Sequence, residues 1–157
     1  MKEKILEAFR DLGFKLEEEE GMGYCFNYEG LNLLYMYNEN DEEFLNIALP
    51  GIVEVEEDRM LQICALLEKI NSTLKYVKTY MLGNSVWLFY ERELFGEEDL
   101  MTVISRMILH LEAGLVFARK AMAEIEETMA NDSSADDTAE NAEEIVTEEI
   151  ADDEDNE

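Results

Sequence analysis

The spacing of apolar residues switches between two periods along this chain, and that switch constrains its fold. Ile5, Leu6, Phe9 and Leu12 recur at helical spacing, which predicts a helix over residues 2–12 that ends at Gly13. Residues 24–28, 31–37 and 44–49 instead form short apolar runs with strand-like alternation. The connections between these runs are too short for a parallel crossover, so the sequence predicts an antiparallel three-stranded meander.

The segments that flank the meander are predicted to be turns. Residues 17–20 are four consecutive glutamates, which we interpret as a solvated turn, and Pro50 and Gly51 are expected to end the third strand. Residues 38–43 are rich in Asn, Asp and Glu, and they invite a calcium hypothesis. They lack the glycine and glutamate spacing of an EF-hand, so a polar hairpin turn is favoured over weak cation binding.

The second half of the chain returns to a helical period and then to alternation. An apolar stripe from Met60 to Ile70 predicts a second helix with Asp58 as its N-cap. Residues 76–81 and 86–94 predict a hairpin around a turn at 82–85, and the acidic residues 97–99 favour the start of a last helix running to about residue 127. The predicted order is α-β-β-β-α-β-β-α, an α+β fold with a five-stranded antiparallel sheet and three helices.

Composition changes near residue 130 and divides the chain in two. Residues 131–157 contain 13 acidic residues, no basic residue and no aromatic residue. Such a segment cannot bury enough apolar surface to order itself, so we predict an α+β domain over residues 1–130 and a disordered acidic tail over 131–157. The tail is interpreted either as a solubilising segment or as a recognition element for a basic protein.

The charge of the chain excludes several classes of partner. Its net charge of −27 repels phosphate and anionic lipid, which argues against nucleic-acid and membrane-surface binding. No uninterrupted apolar run reaches the length of a membrane span, and the first residues lack a secretory signal. Cys25 and Cys64 are too few for a disulfide framework, and they are expected to be reduced, buried thiols of a cytoplasmic protein.

The sequence contains few candidate catalytic residues. The chain has one histidine, His110, and it shows no phosphate-binding loop, nucleophile elbow or pair of residues at metal-ligand spacing. Carboxylate pairs such as Glu91 and Glu93 are expected by chance among 39 acidic residues. The sequence therefore predicts a protein that is not an enzyme and has no cofactor and no metal.

The predicted sheet has two apolar faces. Val86, Leu88 and Tyr90 alternate with Trp87 and Phe89, and residues 31–37 alternate in the same way, with Leu34 and Met36 on the second face. An antiparallel sheet that exposed one face to water would carry polar residues there. Three helices cover one face, so the other is expected to meet a subunit, a client peptide or the end of the last helix folded back.

The predicted last helix also has a wide apolar surface. Its main stripe is assigned to the core, and a second stripe about 100° away is formed by Val103, His110, Gly114, Phe117 and Ala121. This second stripe is interpreted either as part of a wide core face, with His110 at its border, or as a subunit contact. A helix of 31 residues spans about 46 Å and would overhang a domain of this size, which favours the contact.

Three segments carry a family resemblance: residues 44–50, residues 66–71 and residues 86–94. With this order of elements, residues 2–128 resemble the class I type III secretion chaperones and the related YbjN-like proteins. The resemblance implies a small, acidic, dimeric protein, and its chaperone branch implies an extended client segment bound on the surface. The acidic tail of this chain departs from the usual compact pattern of this group.

The leading hypothesis is a chaperone-like protein-binding module that forms a cytoplasmic homodimer and binds a protein or peptide through apolar surface. Its predicted contact residues lie on the second sheet face and the last helix: Leu34, Met36, Trp87, Phe89, Val103, His110, Gly114, Phe117 and Ala121. The alternative is a regulatory or stress-related protein that acts on basic partners through its acidic surface and tail.

Overall fold

The computed structural model describes the backbone of residues 1–151 and the side chains of residues 1–132. Three α-helices, six β-strands and one short 3₁₀ helix form a mixed α+β domain, as the sequence predicts. In chain order they are α1 (Lys2–Asp11), β1 (Glu17–Glu19), β2 (Gly23–Tyr28), β3 (Leu31–Met36), β4 (Phe44–Glu54), the 3₁₀ helix (Glu57–Arg59), α2 (Met60–Thr73), β5 (Val77–Leu82), β6 (Ser85–Glu93) and α3 (Leu100–Ala151).

All six strands belong to one antiparallel sheet with the order β1-β2-β3-β4-β6-β5. The first four strands are sequential neighbours joined by short loops, which confirms the predicted meander. After α2 the chain returns as the β5–β6 hairpin, and β6 pairs with β4. The two middle strands of the sheet are therefore β3 and β4, and β6 lies between β4 and the edge strand β5.

The predicted count of five strands is wrong, because residues 17–20 are mostly strand rather than turn. Glu17–Glu19 forms β1 and pairs with β2, and all three side chains are exposed. Hydrophobic alternation cannot reveal such a strand, because its three side chains are all acidic and exposed. Charged side chains on an edge strand also discourage pairing with another chain.

The third predicted strand extends past its predicted end at Pro50 and Gly51. β4 continues to Glu54, and its pairing with β6 shifts register between Leu49 and Val53. Proline is tolerated at such an irregularity because the ladder hydrogen bond it cannot donate is already missing there. Gly51 has φ of +64°, a conformation that favours glycine.

The helix starts differ in detail from their predictions. Asp58 lies inside the 3₁₀ helix, and α2 begins at Met60 without a side-chain cap, so its predicted N-cap role is wrong. Ahead of α3, Asp99 accepts a hydrogen bond from the Thr102 hydroxyl at 2.6 Å. The acidic residues at this helix start therefore act as expected, with Asp99 just before the first turn.

Helix α3 extends far beyond its predicted end near residue 127. Its backbone runs to Ala151, so it includes residues 131–151 of the predicted disordered tail, and residues 152–157 lie outside the described residues. Alanine and glutamate are strong helix formers, and extending a helix that is already nucleated needs no new nucleus. Side chains of α3 join the core as far as Met122, with Ile125 packed against it.

Among the described residues, one helical segment, Leu100–Asp132, is long enough and apolar enough to cross a membrane, judged by length and composition alone. Charged residues interrupt its apolar stretches, so no uninterrupted run shows this in the sequence. Core helices have the same property, and here Ile104, Met107 and Leu111 are buried against the sheet. The packing accounts for the apolar character of this helix.

The main core lies between the three helices and one face of the sheet. It joins Ile5 and Phe9 of α1, Leu66 of α2 and the buried face of α3 to strand residues that include Leu33 and Leu88. A second, smaller cluster consists of Leu34, Ala48 and Phe89 with Cys25, Met36 and Trp87 packed against it, and all of these belong to strands. The predicted division of strand residues between two faces is confirmed.

The second stripe of α3 faces the main core of the same chain. Ala121 belongs to the buried core, and Val103 and Phe117 pack against it. A Cβ atom added to Gly114 would lie 3.3 Å from Val77 Cγ1 and 3.4 Å from Leu88 Cδ1. The small residue at position 114 thus permits close approach of the chain's own sheet, in agreement with the wide-core interpretation. A subunit contact by this stripe stays a prediction.

We predict that Gly114→Val lowers the free energy of unfolding by about 1–3 kcal/mol, because the added methyl groups overpack the contact with Val77 and Leu88. Ala113→Val introduces the same β-branched side chain at the neighbouring exposed position and serves as the control. Urea unfolding followed by circular dichroism measures both variants. Because valine is a better helix former than glycine but a poorer one than alanine, an unchanged or raised stability of Gly114→Val would contradict the overpacking.

Candidate functional site

His110 is placed as a border histidine of the core. Its Nδ1 lies 2.7 Å from the backbone oxygen of Arg106, and its ring meets the rings of Tyr76 and Tyr90 edge-on. His110 is the one histidine of the chain, and its ring faces two aromatic rings instead of a cluster of polar groups. These contacts describe a packing role.

The cysteines and the acidic loop do not form a metal centre. Among the residues the structure describes, no three His, Cys, Asp or Glu side chains converge to hold an ion. Cys25 is half-buried, and burial raises the pKa of its thiol above the ordinary value. Cys64 is exposed on α2, which corrects the prediction that both thiols are buried. Its position follows from the helix face, since Leu66 and Ile70 occupy the core side.

The sheet face opposite the helices is the main feature that the core does not absorb, and we call it the outer face. Cys25, Leu34, Ala48, Phe89 and Lys78 are successive cross-strand partners in one row across it. Paired residues share a face, and residues two positions along a strand return to it. The outer face therefore also carries Met36, Asn46, Glu91, Trp87, Tyr80 and Phe44.

Aromatic rings lie flat over the centre of the outer face. The Tyr80 ring stacks on Phe89 with centroids 4.1 Å apart and an interplanar angle of 3°, and Trp87 lies on the other side at 6.0 Å. Phe89 is fully buried by this layer although no helix residue belongs to its cluster. The hydroxyl end of Tyr80 and part of Trp87 remain accessible, since Tyr80 is 39% exposed and Trp87 is half-buried.

The predicted sheet residues are brought together, but they differ in accessibility. Leu34 and Phe89 are buried within the chain itself, whereas Met36 and Trp87 are half-buried and present surface. The predicted residues of α3 lie on the opposite side of the sheet, so the two predicted sets do not form one surface. Two accessible residues were missed, Tyr80 and Phe44. The register of the predicted hairpin identifies Tyr80, because that register pairs it with Trp87.

A groove of about 390 Å³ runs along the outer face beside this aromatic layer. We call it the Asn46 groove. Flexible and aromatic apolar side chains, Met22, Met36 and Phe44, line it together with polar groups from the loop 38–43 and from β6; its lining residues are Gly21, Met22, Met36, Tyr37, Asn38, Asp41, Phe44, Asn46 and Glu91. Methionine suits adaptable contact surfaces because its thioether chain is flexible and polarizable.

The polar floor of the Asn46 groove is incompletely satisfied. Asn46 Nδ2 donates to Glu91 Oε1 at 2.9 Å, and Glu91 also forms an ion pair with Lys78. Asn46 Oδ1 is buried and has no hydrogen-bond donor among the described residues. An unsatisfied buried acceptor costs about 1–3 kcal/mol, so a donor brought to this atom would be stabilising.

One wall of the groove, the loop 38–43, is held to the N-terminus by an ion pair. Glu42 accepts a hydrogen bond from the Tyr37 hydroxyl at 2.9 Å and forms an ion pair with the Met1 ammonium at 3.4 Å. The Tyr37 hydrogen bond and then the ammonium hold the pKa of the Glu42 carboxyl below its ordinary value. Lys2 adds a cation–π contact to the Tyr37 ring at 4.3 Å. These contacts hold the loop 38–43 in place.

The exposed edge of β5 is partly closed by a side chain. Asn71 of α2 donates from Nδ2 to the Thr79 oxygen at 2.9 Å and accepts from the Thr79 backbone N–H at 2.8 Å. The amide thus occupies both backbone groups that Thr79 would offer to an added strand. A partner that pairs strand-to-strand at this edge is disfavoured, and the outer face remains the more open surface.

A larger groove of about 600 Å³ follows β1 and the end of α1. Glu17 in its wall is already paired with Lys15 at 2.8 Å. Among the described side chains, the buried polar atoms without a hydrogen-bond partner are Asn46 Oδ1 and Gln62 Oε1, and neither residue lines this groove. The Asn46 groove is the better candidate site.

Comparisons with known proteins were made for the whole chain. No protein-family model matches it, and no curated protein matches it. Among solved structures it resembles YbjN from E. coli, a proposed transcription regulator, with a TM-score of 0.59 at 14% identity over 76% of this chain and 92% of that one. The fold is YbjN-like.

The chain also resembles the solved structure of an uncharacterised protein from Methanothermobacter thermautotrophicus. It has a TM-score of 0.53 at 17% identity and covers 81% of this chain and 97% of that one. Neither structure is described as a type III secretion chaperone, so that part of the predicted resemblance lacks support. At these identities the likeness concerns the fold alone.

We predict that Phe89→Ala lowers the free energy of unfolding by about 3–5 kcal/mol, because it opens a cavity under Tyr80 and Trp87. Phe44→Ala is the matched control on the same face, where a side chain that is 40% exposed should change stability by less than about 1 kcal/mol. Urea unfolding compares the two. A small effect of Phe89→Ala would mean that the outer layer is not packed.

We predict that Glu42→Gln reduces the loss of stability on acidification. The folded-state pKa of Glu42 is lowered, so its contribution is present above the unfolded pKa and is lost as the pH falls through the folded one. Urea midpoints measured from neutral to acidic pH check this difference. Glu7→Gln on the exposed face of α1 is the control and should follow the wild-type curve.

Proposed function

We propose that this protein is a non-enzymatic protein-binding module that binds a segment of a partner on the outer face of its sheet. The observation that carries the proposal is the apolar outer face itself. It has its own buried cluster of Leu34, Ala48 and Phe89, yet no helix covers it within the described residues. Met36, Trp87, Tyr80 and Phe44 each expose apolar surface on this face.

The aromatic composition of this surface supports a binding role. Tryptophan, tyrosine and methionine are enriched at protein interfaces, because they supply large contact area together with a polar or polarizable group. Burial of such side chains contributes about 25 cal/mol for each Å² removed from water. The YbjN-like fold is consistent with a small regulatory or binding protein, since one structural relative is described as a proposed transcription regulator.

The alternative function uses the acidic surface and residues 131–157. The segment contains 13 acidic residues and no basic one, which favours a basic protein partner over nucleic acid. Deleting residues 131–157 separates the two functions. Binding through the outer face survives the deletion, whereas binding through the acidic segment is lost.

The homodimer and the cytoplasmic location remain proposals. A twofold contact could use either the outer face or the exposed positions of α3, such as Leu109 and Val116. Sedimentation of the purified full chain over a range of concentrations measures the oligomeric state. A species of twice the chain mass that persists on dilution is the expected result.

We predict that Met36→Glu weakens the binding of a partner by at least tenfold, because it places a charge in the apolar contact surface. The full-length chain is used as bait, and each captured protein is purified and its affinity measured by calorimetry. Met101→Glu makes the same change at an exposed position on α3, on the other side of the sheet, and should leave the affinity unchanged. Equal affinities for both variants would contradict binding through the outer face.

A further inference from the structure

We infer that the occupant of the Asn46 groove is a basic segment of another protein, with an apolar side chain against Met22, Met36 and Phe44 and a lysine or arginine toward Asn46 and Asp41. This inference rests on the proposed function and names the chemistry of its partner. Apolar and polar side chains line the groove together, so an occupant that fills it must carry both kinds of group.

Charge selects a basic occupant. The loop 38–43 forms one wall and carries four acidic residues, and Asp41 lines the groove directly. Glu93 lies opposite Phe44 across β4 and β6, with an exposed side chain. The nearby positive groups already have partners: Lys78 pairs with Glu91, the Met1 ammonium pairs with Glu42, and Lys2 lies over the Tyr37 ring. A positively charged segment is attracted to this rim, and an acidic one is repelled.

One acceptor in the floor of the groove lacks a hydrogen-bond donor. Asn46 Oδ1 has no donor among the described residues, and its own amide nitrogen is engaged by Glu91. Lysine ammonium, arginine guanidinium and backbone N–H groups are all donors, whereas carboxylates are not. Among these donors, the acidic rim favours the lysine ammonium and the arginine guanidinium.

A second copy of this chain fits the groove poorly. A twofold contact places the same patch against itself, so the acidic loop 38–43 would face its own counterpart or the equally acidic rim near Glu93. The chain has a net charge of −27, with 39 acidic residues against 12 basic ones, so two like patches repel each other. A hetero-partner with positive charge avoids this repulsion.

Three short peptides of equal length test the inference: one repeats two lysines and two leucines, one repeats two glutamates and two leucines, and one repeats two lysines and two serines, so that each side of the extended chain carries both residue types. Binding to the full chain is followed by calorimetry and by the emission of Trp87, the one tryptophan, which lies on the outer face. The lysine–leucine peptide should bind at least tenfold more tightly than either of the others. Equal binding of the lysine–serine peptide would reduce the effect to general charge attraction and overturn the inference.

Substitutions at the Asn46 groove test whether the lysine–leucine peptide binds there. Asp41→Lys and Phe44→Ser should each weaken the lysine–leucine peptide at least tenfold, while Glu7→Lys, the control with the same sort of charge reversal on α1, should weaken it less than threefold. Equal weakening by Asp41→Lys and Glu7→Lys overturns the inference. A dimer that Phe44→Ser dissociates also overturns it, because a second copy would then occupy the groove. If no peptide binds while Met36→Glu still abolishes capture of a partner, the basic chemistry is wrong and the proposed function stands.

Discussion

The sheet of this protein has two apolar faces and only one layer of helices, and the rest of the structure follows from that imbalance. α1, α2 and α3 bury the face that carries Leu33 and Leu88, so the interior on that side is closed by the chain itself. The other face hides its two largest buried side chains, Leu34 and Phe89, beneath neighbours from the same sheet. A flat aromatic layer can exclude water from Phe89, but its own outer surface remains in contact with water.

This arrangement explains why stability and binding are separable on the outer face. Phe89 sits under Tyr80 at 4.1 Å and contributes to the fold, whereas the exposed parts of Tyr80, Trp87 and Met36 contribute little to it. Residues that a partner would touch can therefore change without unfolding the chain. The same separation applies to the groove, where Asn46 is fixed by Glu91 yet keeps an unsatisfied oxygen.

Much of this could be predicted from the sequence, because hydrophobic alternation reports directly which strand residues share a face. Leu34, Met36, Trp87 and Phe89 were assigned to one face, and the structure places them there. The strand Glu17–Glu19 was missed because its three exposed acidic side chains leave no apolar alternation. The Asn46 groove was also missed, since it depends on a loop, a register and an amide orientation that periodicity does not encode.

Helix α3 shows that one sequence pattern can have two physical interpretations. A small residue such as Gly114 permits close approach, but the sequence cannot say whether the approaching element is a subunit or the chain's own sheet; here Val77 and Leu88 fill that role. The wide stripe of α3 is thereby used in holding the helix to the sheet, and the outer face is left as the larger uncovered apolar surface. Because that surface is bordered by the acidic loop 38–43 in a chain of net charge −27, a partner must bring both apolar area and positive charge to cover it without electrostatic cost.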